Sequence, residues 1–130
     1  SQLARWEQPT QRLPVVFGLW VENSDPATIP TGTVNGVAFG GGAIATAHGT
    51  TPFTSVYPWA AGFGTKYANP ATVPASTGNS VAFSADGSAI AIAHNTTPRI
   101  SAYPWAAGFG TKFSDPATRP TGNGNGVAFN

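Results

Sequence analysis

Cysteine is absent from this 130-residue chain, which excludes both a disulfide framework and a thiolate metal site and leaves the redox compartment open. Charge is scarce, at 8% of residues, and the net charge is only +1. The six basic side chains, Arg5, Arg12, Lys66, Arg99, Lys112 and Arg119, are scattered along the chain, so no surface tracks a phosphate backbone and no nucleic-acid partner is expected. Long apolar runs are also missing. No segment approaches the roughly 18 apolar residues of a membrane span, and the opening stretch carries Arg5, Glu7, Pro9, Arg12 and Pro14 where a signal peptide needs an apolar run. The expectation is a soluble chain with no membrane insertion. A start at Ser1 fits removal of an initiator Met or of an upstream segment.

What the sequence does hold is 16 glycines and 12 prolines in a chain that is 41% hydrophobic, the composition of many short strands joined by tight turns. The length allows one domain with a sizeable core. A repeat dominates. YPWAAGFGTK at 57–66 recurs letter for letter at 103–112, an offset of 46 residues. The flanks keep that register, AHGTTP (47–52) with AHNTTP (93–98) and NPATVP (69–74) with DPATRP (115–120). A further partial copy lies upstream, because DPATIP (25–30) precedes NGVAF (35–39) as DPATRP precedes NGVAF (125–129), at an offset of 90. One shortened turn accounts for the difference, GVAFGGGAIATAH (36–48) being two residues shorter than SVAFSADGSAIAIAH (80–94). Leu13-Pro14-Val15 and Gly18, 90 residues before Tyr103-Pro104-Trp105 and Gly108, give a weaker echo.

Within one unit, VAFS (81–84) and AIAIAH (89–94) flank Ala85-Asp86-Gly87, which predicts a hairpin. RISAYPW (99–105) is expected as a third strand after the Thr-Thr-Pro turn and GFGTKFS (108–114) as a fourth, with Asp115-Pro116 and Pro120 opening the connection to the next unit. Four strands in about 46 residues correspond to a propeller blade. The predicted fold is therefore all-β, with β-propeller-like blades of four-stranded antiparallel sheets. Its units are an N-terminal segment and partial blade (1–36), a blade (37–80), a second blade (81–126) and the first strand of a further blade (127–130).

VAFSADGSAIAIAH resembles the strand, Asp-Gly turn and strand that open WD40-like and related bacterial propeller repeats, over residues 37–129. The Trp-Asp dipeptide and the Gly-His pair of WD40 blades are missing, with Tyr-Pro-Trp at the corresponding strand end, so the polar network of those blades does not carry over. Units with YPW and GFGTK look like those of propeller-repeat proteins of bacteria and of tailed-phage structural proteins. The resemblance implies a ring. Propellers have four to eight blades, and a terminal blade exposes an apolar face and strand edges unless something covers them. The chain is thus expected to associate with itself, the VAF strand at one end complementing residues 10–22 of another copy, or to insert into a larger assembly.

Four aromatic residues, Tyr57, Trp59, Tyr103 and Trp105, recur as pairs and are candidate contacts for a sugar ring, with packing between blades as the competing explanation. His48 and His94 share one repeat position, which sets them a blade apart, and neither has an adjacent carboxylate, so no metal site is expected. Lys66 and Lys112 are expected to be solvated, and Asp25 and Asp115 to cap turns before proline. Outside the repeat register, Arg5, Trp6 and Arg12 form a candidate interface anchor. No catalytic residue and no cofactor are assigned. The leading expectation is a non-enzymatic structural or protein-interaction module, such as a component of a phage virion or other multimeric assembly. A lectin-like glycan-binding propeller and, last, a propeller-type hydrolase are the alternatives.

Overall fold

The computed structural model describes residues 22–130. Among these residues there is no helix, and the six strands are β1 (Val34–Gly40), β2 (Ala43–His48), β3 (Thr54–Pro58), β4 (Gly78–Phe83), β5 (Ala89–His94) and β6 (Ile100–Pro104). They form two antiparallel three-stranded sheets in the orders β1-β2-β3 and β4-β5-β6. The repeat is therefore structural: each unit is a meander followed by an irregular connection.

The central strands β2 (AIATAH) and β5 (AIAIAH) are short apolar runs covered on both faces, with all six positions of β2 buried. Such a run, bounded by turn residues, is how a fully buried strand reads in sequence. The hairpin between β4 and β5 is held by Asp86, whose carboxylate accepts from Ser84 Oγ at 2.9 Å, Ser88 N at 3.0 Å and Ser88 Oγ at 2.7 Å. Asp at this position fastens the turn through its own side chain.

A four-stranded blade was expected, and each sheet has three strands. The segment after β6 does run beside it, with Gly110 N donating to Pro104 O and Phe113 N to Ala102 O, both at 2.8 Å. These bonds are three residues apart on one side and two on the other, so the register slips and no ladder forms. Gly64 N to Pro58 O and Tyr67 N to Val56 O repeat the slip beside β3. Ala107, with φ 51°, and Gly108, with φ 145°, turn the chain sharply just before this edge. The two sheets do not by themselves form a closed ring of blades.

The sheets share one core, built from Ala43, Ala45, Ala47 and Val56 on one side and Val81, Ile90, Ile92, Tyr103 and Trp105 on the other. Gly40 permits the close approach, since a Cβ there would meet Phe83 Cβ at 2.5 Å. Each unit opens with the same bulge, between Val34 and Gly36 in β1 and between Gly78 and Ser80 in β4. A bulge re-aims the side chain it carries. Here it carries Asn35 and Asn79, whose amides leave their own ladders: Asn35 Nδ2 donates to Gly78 O at 2.9 Å and Asn79 Nδ2 to Gly124 O at 2.8 Å. An asparagine in each unit thus fixes the start of the next. No helix among the described residues is long and apolar enough to cross a membrane.

Candidate functional site

The repeated side chains with chemical potential divide into buried ties and exposed apolar faces. His48 and His94 end β2 and β5, both fully buried, and Nε2 of each bonds a serine hydroxyl of the neighbouring strand, Ser55 Oγ at 2.8 Å and Ser101 Oγ at 2.9 Å. Nδ1 of each ring is buried with no hydrogen-bond partner among the described residues. Burial lowers the pKa of both rings from the usual histidine value, desolvation outweighing the hydrogen bonds that favour the charged form. These imidazoles are therefore neutral struts. Among the described residues, no three His, Asp or Glu side chains gather as a metal site would require.

Of the four candidate aromatic contacts, Tyr57, Tyr103 and Trp105 are buried, and only Trp59 is partly exposed. The Tyr57 hydroxyl donates to Thr28 O at 2.6 Å and the Tyr103 hydroxyl to Thr72 O at 2.7 Å, so each phenol holds down the connection that precedes its own sheet. Burial pushes the Tyr103 hydroxyl up to about 12 and raises that of Tyr57. Trp105 is edge-on to three rings, Tyr67, Phe83 and Phe109, at centroid distances of 4.9, 5.7 and 5.2 Å, and its indole N–H points to Gly41 O at 3.3 Å. Trp59 keeps only two of the equivalent contacts, Phe39 at 5.4 Å and Phe63 at 5.1 Å. Sequence reasoning had not named Phe63 and Phe109 as part of this cluster. The signal lay inside the repeated GFG segment, where the phenylalanine between two glycines returns at an offset of 46.

The two repeated lysines are engaged locally. Lys66 Nζ bonds Asn69 Oδ1 and Tyr67 O, while Lys112 pairs with Asp115, which also faces Arg119 at 3.6 Å. The hydrogen bond from Lys112 is the main reason the Asp115 carboxyl lies below the usual carboxylate range. A shallow cavity of about 270 Å³ lies along this segment, lined by Ile100, Ala102, Lys112, Phe113 and Asp115 among others. Arg5, Trp6 and Arg12, the candidate interface anchor, lie outside the described residues.

No family model matches the sequence, and no curated protein is significantly similar to it. Among the described residues the two units leave apolar surface uncovered. Val37 and Phe39 on β1 are 59% and 62% exposed, whereas Val81, at the same repeat position as Val37, is 5% exposed and Phe83 packs against the core. Ile29, before β1, and Val34, its first residue, are also exposed, and Phe113 and Phe129 lie exposed in the other unit's following segments. Large apolar residues clustered on one sheet face mark an interaction surface.

Proposed function

We propose that this chain is a non-enzymatic structural or protein-interaction module built of propeller-type repeat units, working within a multimeric assembly of the kind found in phage virions. The observation that carries this reading is the contrast between identical repeat positions: Val81 is covered by the neighbouring unit and Val37 is open. The residues best suited to chemistry support it too, since both histidines and both repeated tyrosines are engaged in the same internal bonds in each unit. What each unit offers to a partner is sheet face and strand edge, the currency of repeat assemblies.

A glycan-binding reading has one specific observation in its favour. Trp59, partly exposed and edge-on to the exposed Phe39, offers an aromatic surface of the type that stacks on sugar rings. The two readings separate in one experiment. Binding of neutral mono- and oligosaccharides is followed through tryptophan fluorescence, and hydrodynamic size is measured in parallel. Size that grows with protein concentration and a fluorescence signal indifferent to sugar support the interaction module. Saturable quenching by a sugar, lost in Trp59→Ala with the fold retained, replaces it with the lectin.

A further inference from the structure

The turn that follows each central strand is the place where the connections between units are fastened. After β2, His48 N donates to Phe53 O at 2.9 Å and closes the turn 49–53. That turn then holds the segment entering β1, with Gly49 N on Thr33 O at 3.0 Å and Thr31 Oγ1 on Thr51 O at 2.9 Å. It also holds the segment entering β4, through Thr77 Oγ1 on Gly49 O at 3.5 Å. Gly78, the first residue of β4, lies so close that a Cβ there would stand 2.5 Å from Phe53 O. The turn after β5 repeats the arrangement: His94 N donates to Arg99 O, and His94 O accepts from Gly124 N, both at 2.9 Å. Asn95 Oδ1 accepts from Asn79 Nδ2 at 2.7 Å, and Arg99 Nη1 reaches Asn123 Oδ1 at 3.0 Å. These fastenings are single bonds, whereas β2 and β5 are paired along both sides.

The histidine behind each turn has a site built for its neutral ring. Nε2 meets a serine hydroxyl, which can donate or accept, and Nδ1 is buried with no partner among the described residues. A second proton makes both nitrogens donors and leaves a charged N–H in a buried site without an acceptor of its own. Burial opposes the charged ring and outweighs the backbone of Thr50, Thr54 and Thr31 at His48, and of Thr96 at His94, which favours it. Thr50 O and Thr96 O already accept from Phe53 N at 2.8 Å and from Arg99 N at 2.7 Å. An imidazolium drawn to those carbonyls therefore competes with the bonds that shape the turn. Of the charged side chains that act on the rings, Lys66 repels a cation at His48, Lys112 and Arg99 repel one at His94, and Asp115 attracts it there. We infer that each buried histidine is an acid trigger for the turn that follows it: protonation opens turn 49–53 or 95–99 and releases the connections fastened there, while β2 and β5 stay paired. Water reaches the ring by lifting segments held through single bonds, a smaller opening than parting a strand bonded on both sides.

The test is amide exchange on the full chain at pH 7.5 and pH 5.0, corrected for the intrinsic pH dependence of exchange, in the parent, His48→Gln and His94→Gln. Asp86 and Asp115 titrate below 3.8 and keep their charge over this interval. A ring that regains its ordinary pKa of 6.5 when its turn opens makes that opening about thirtyfold more populated at pH 5.0. Protection of Phe53 and Arg99, the turn reporters, should fall by that factor. Ala45 and Ile92 report global unfolding, which exposes both rings, so they should stay better protected at either pH while responding to two protons. His48→Gln should abolish the acid response of Phe53 and leave that of Arg99, and His94→Gln should do the reverse. Turn amides that exchange at one common rate with Ala45 and Ile92 overturn the local opening, and the parent alone reads this even if a variant fails to fold. An acid response at Phe53 that survives His48→Gln, or turn protection equal at the two pH values, overturns the trigger.

Discussion

The Tyr103 hydroxyl donates a 2.7 Å hydrogen bond to the carbonyl oxygen of Thr72, 31 residues earlier in the chain. Thr72 belongs to the Pro-rich connection between the sheets, which forms no strand and has few backbone bonds of its own. One buried phenol therefore anchors a segment that secondary structure does not hold. The Tyr57 hydroxyl on Thr28 O does the same for the preceding connection.

Alkaline pH is expected to loosen this anchor. The Tyr103 hydroxyl titrates near 12 in the fold against an ordinary value of 10.0, so between those values the folded chain holds a proton that the unfolded chain has lost. Stability is then full below pH 10 and declines as pH rises through this window. Denaturant midpoints measured from pH 8 to pH 11 should fall above pH 10, and Tyr103→Phe should flatten that decline while losing about 1 kcal/mol at neutral pH. An unchanged slope in Tyr103→Phe assigns the alkaline loss to another group.

Acid acts through the histidines, with the opposite sense. His48 and His94 titrate below 6.5 because burial disfavours the imidazolium, so below pH 6.5 the unfolded chain binds protons that the folded chain refuses. Their contribution is complete above that pH and is lost as pH falls. Ser101→Ala should cost about 1 to 3 kcal/mol at pH 7 by leaving the buried Nε2 of His94 without its hydroxyl. Urea unfolding of the variant, followed by circular dichroism, checks the magnitude.

The strands were legible because their signals are local. VAFS, Asp-Gly and AIAIAH carry the short apolar runs and the turn chemistry that make β4 and β5, and RISAYPW yields β6. The fourth strand failed for a reason that composition hides: GFGTKFS follows a turn whose geometry sets its two bonds to β6 out of register. Nothing in the sequence names the hydrogen-bond partners of the two histidines, which are serines on the next strand. Only the pairing of His94 with Ser101 across β5 and β6, seven residues apart, reveals that. The exposed face of β1 was likewise invisible in sequence, since Val37 and Val81 sit in near-identical words and differ only in what covers them.

Trp59 and Trp105 are expected to part company under substitution. Trp105 is 4% exposed and touches three rings, so Trp105→Ala opens a large cavity and should cost about 3 to 5 kcal/mol. Trp59, with two ring neighbours and a partly exposed indole, should cost clearly less in the isolated chain. Thermal melts of both variants decide this. Equal losses show that Trp59 is covered in solution by something beyond the contacts of one unit.

The bulge asparagines make the last comparison. Asn79 Nδ2 bonds both Asn95 Oδ1, at 2.7 Å, and Gly124 O, and the residue is partly buried, while the more exposed Asn35 bonds Gly78 O alone. Counting about 1 kcal/mol for each net hydrogen bond, Asn79→Ala should be the costlier of the two. The losses should also differ in kind. Gly78 opens β4, so Asn35→Ala weakens the join between two complete sheets and should lower the global unfolding midpoint. Gly124 opens an irregular segment that is otherwise held by Gly124 N on His94 O and by Val127 N on Ser80 Oγ at 3.3 Å. Releasing that segment is a local opening, which amide exchange reports separately from global unfolding. In Asn79→Ala the amide of Val127 should therefore exchange much faster than in the parent, while amides of β5, such as Ile92, slow down or speed up only in step with global stability. If the Val127 and Ile92 amides lose protection equally, the segment at 124–129 is part of the cooperative core and the asparagine is not its fastener.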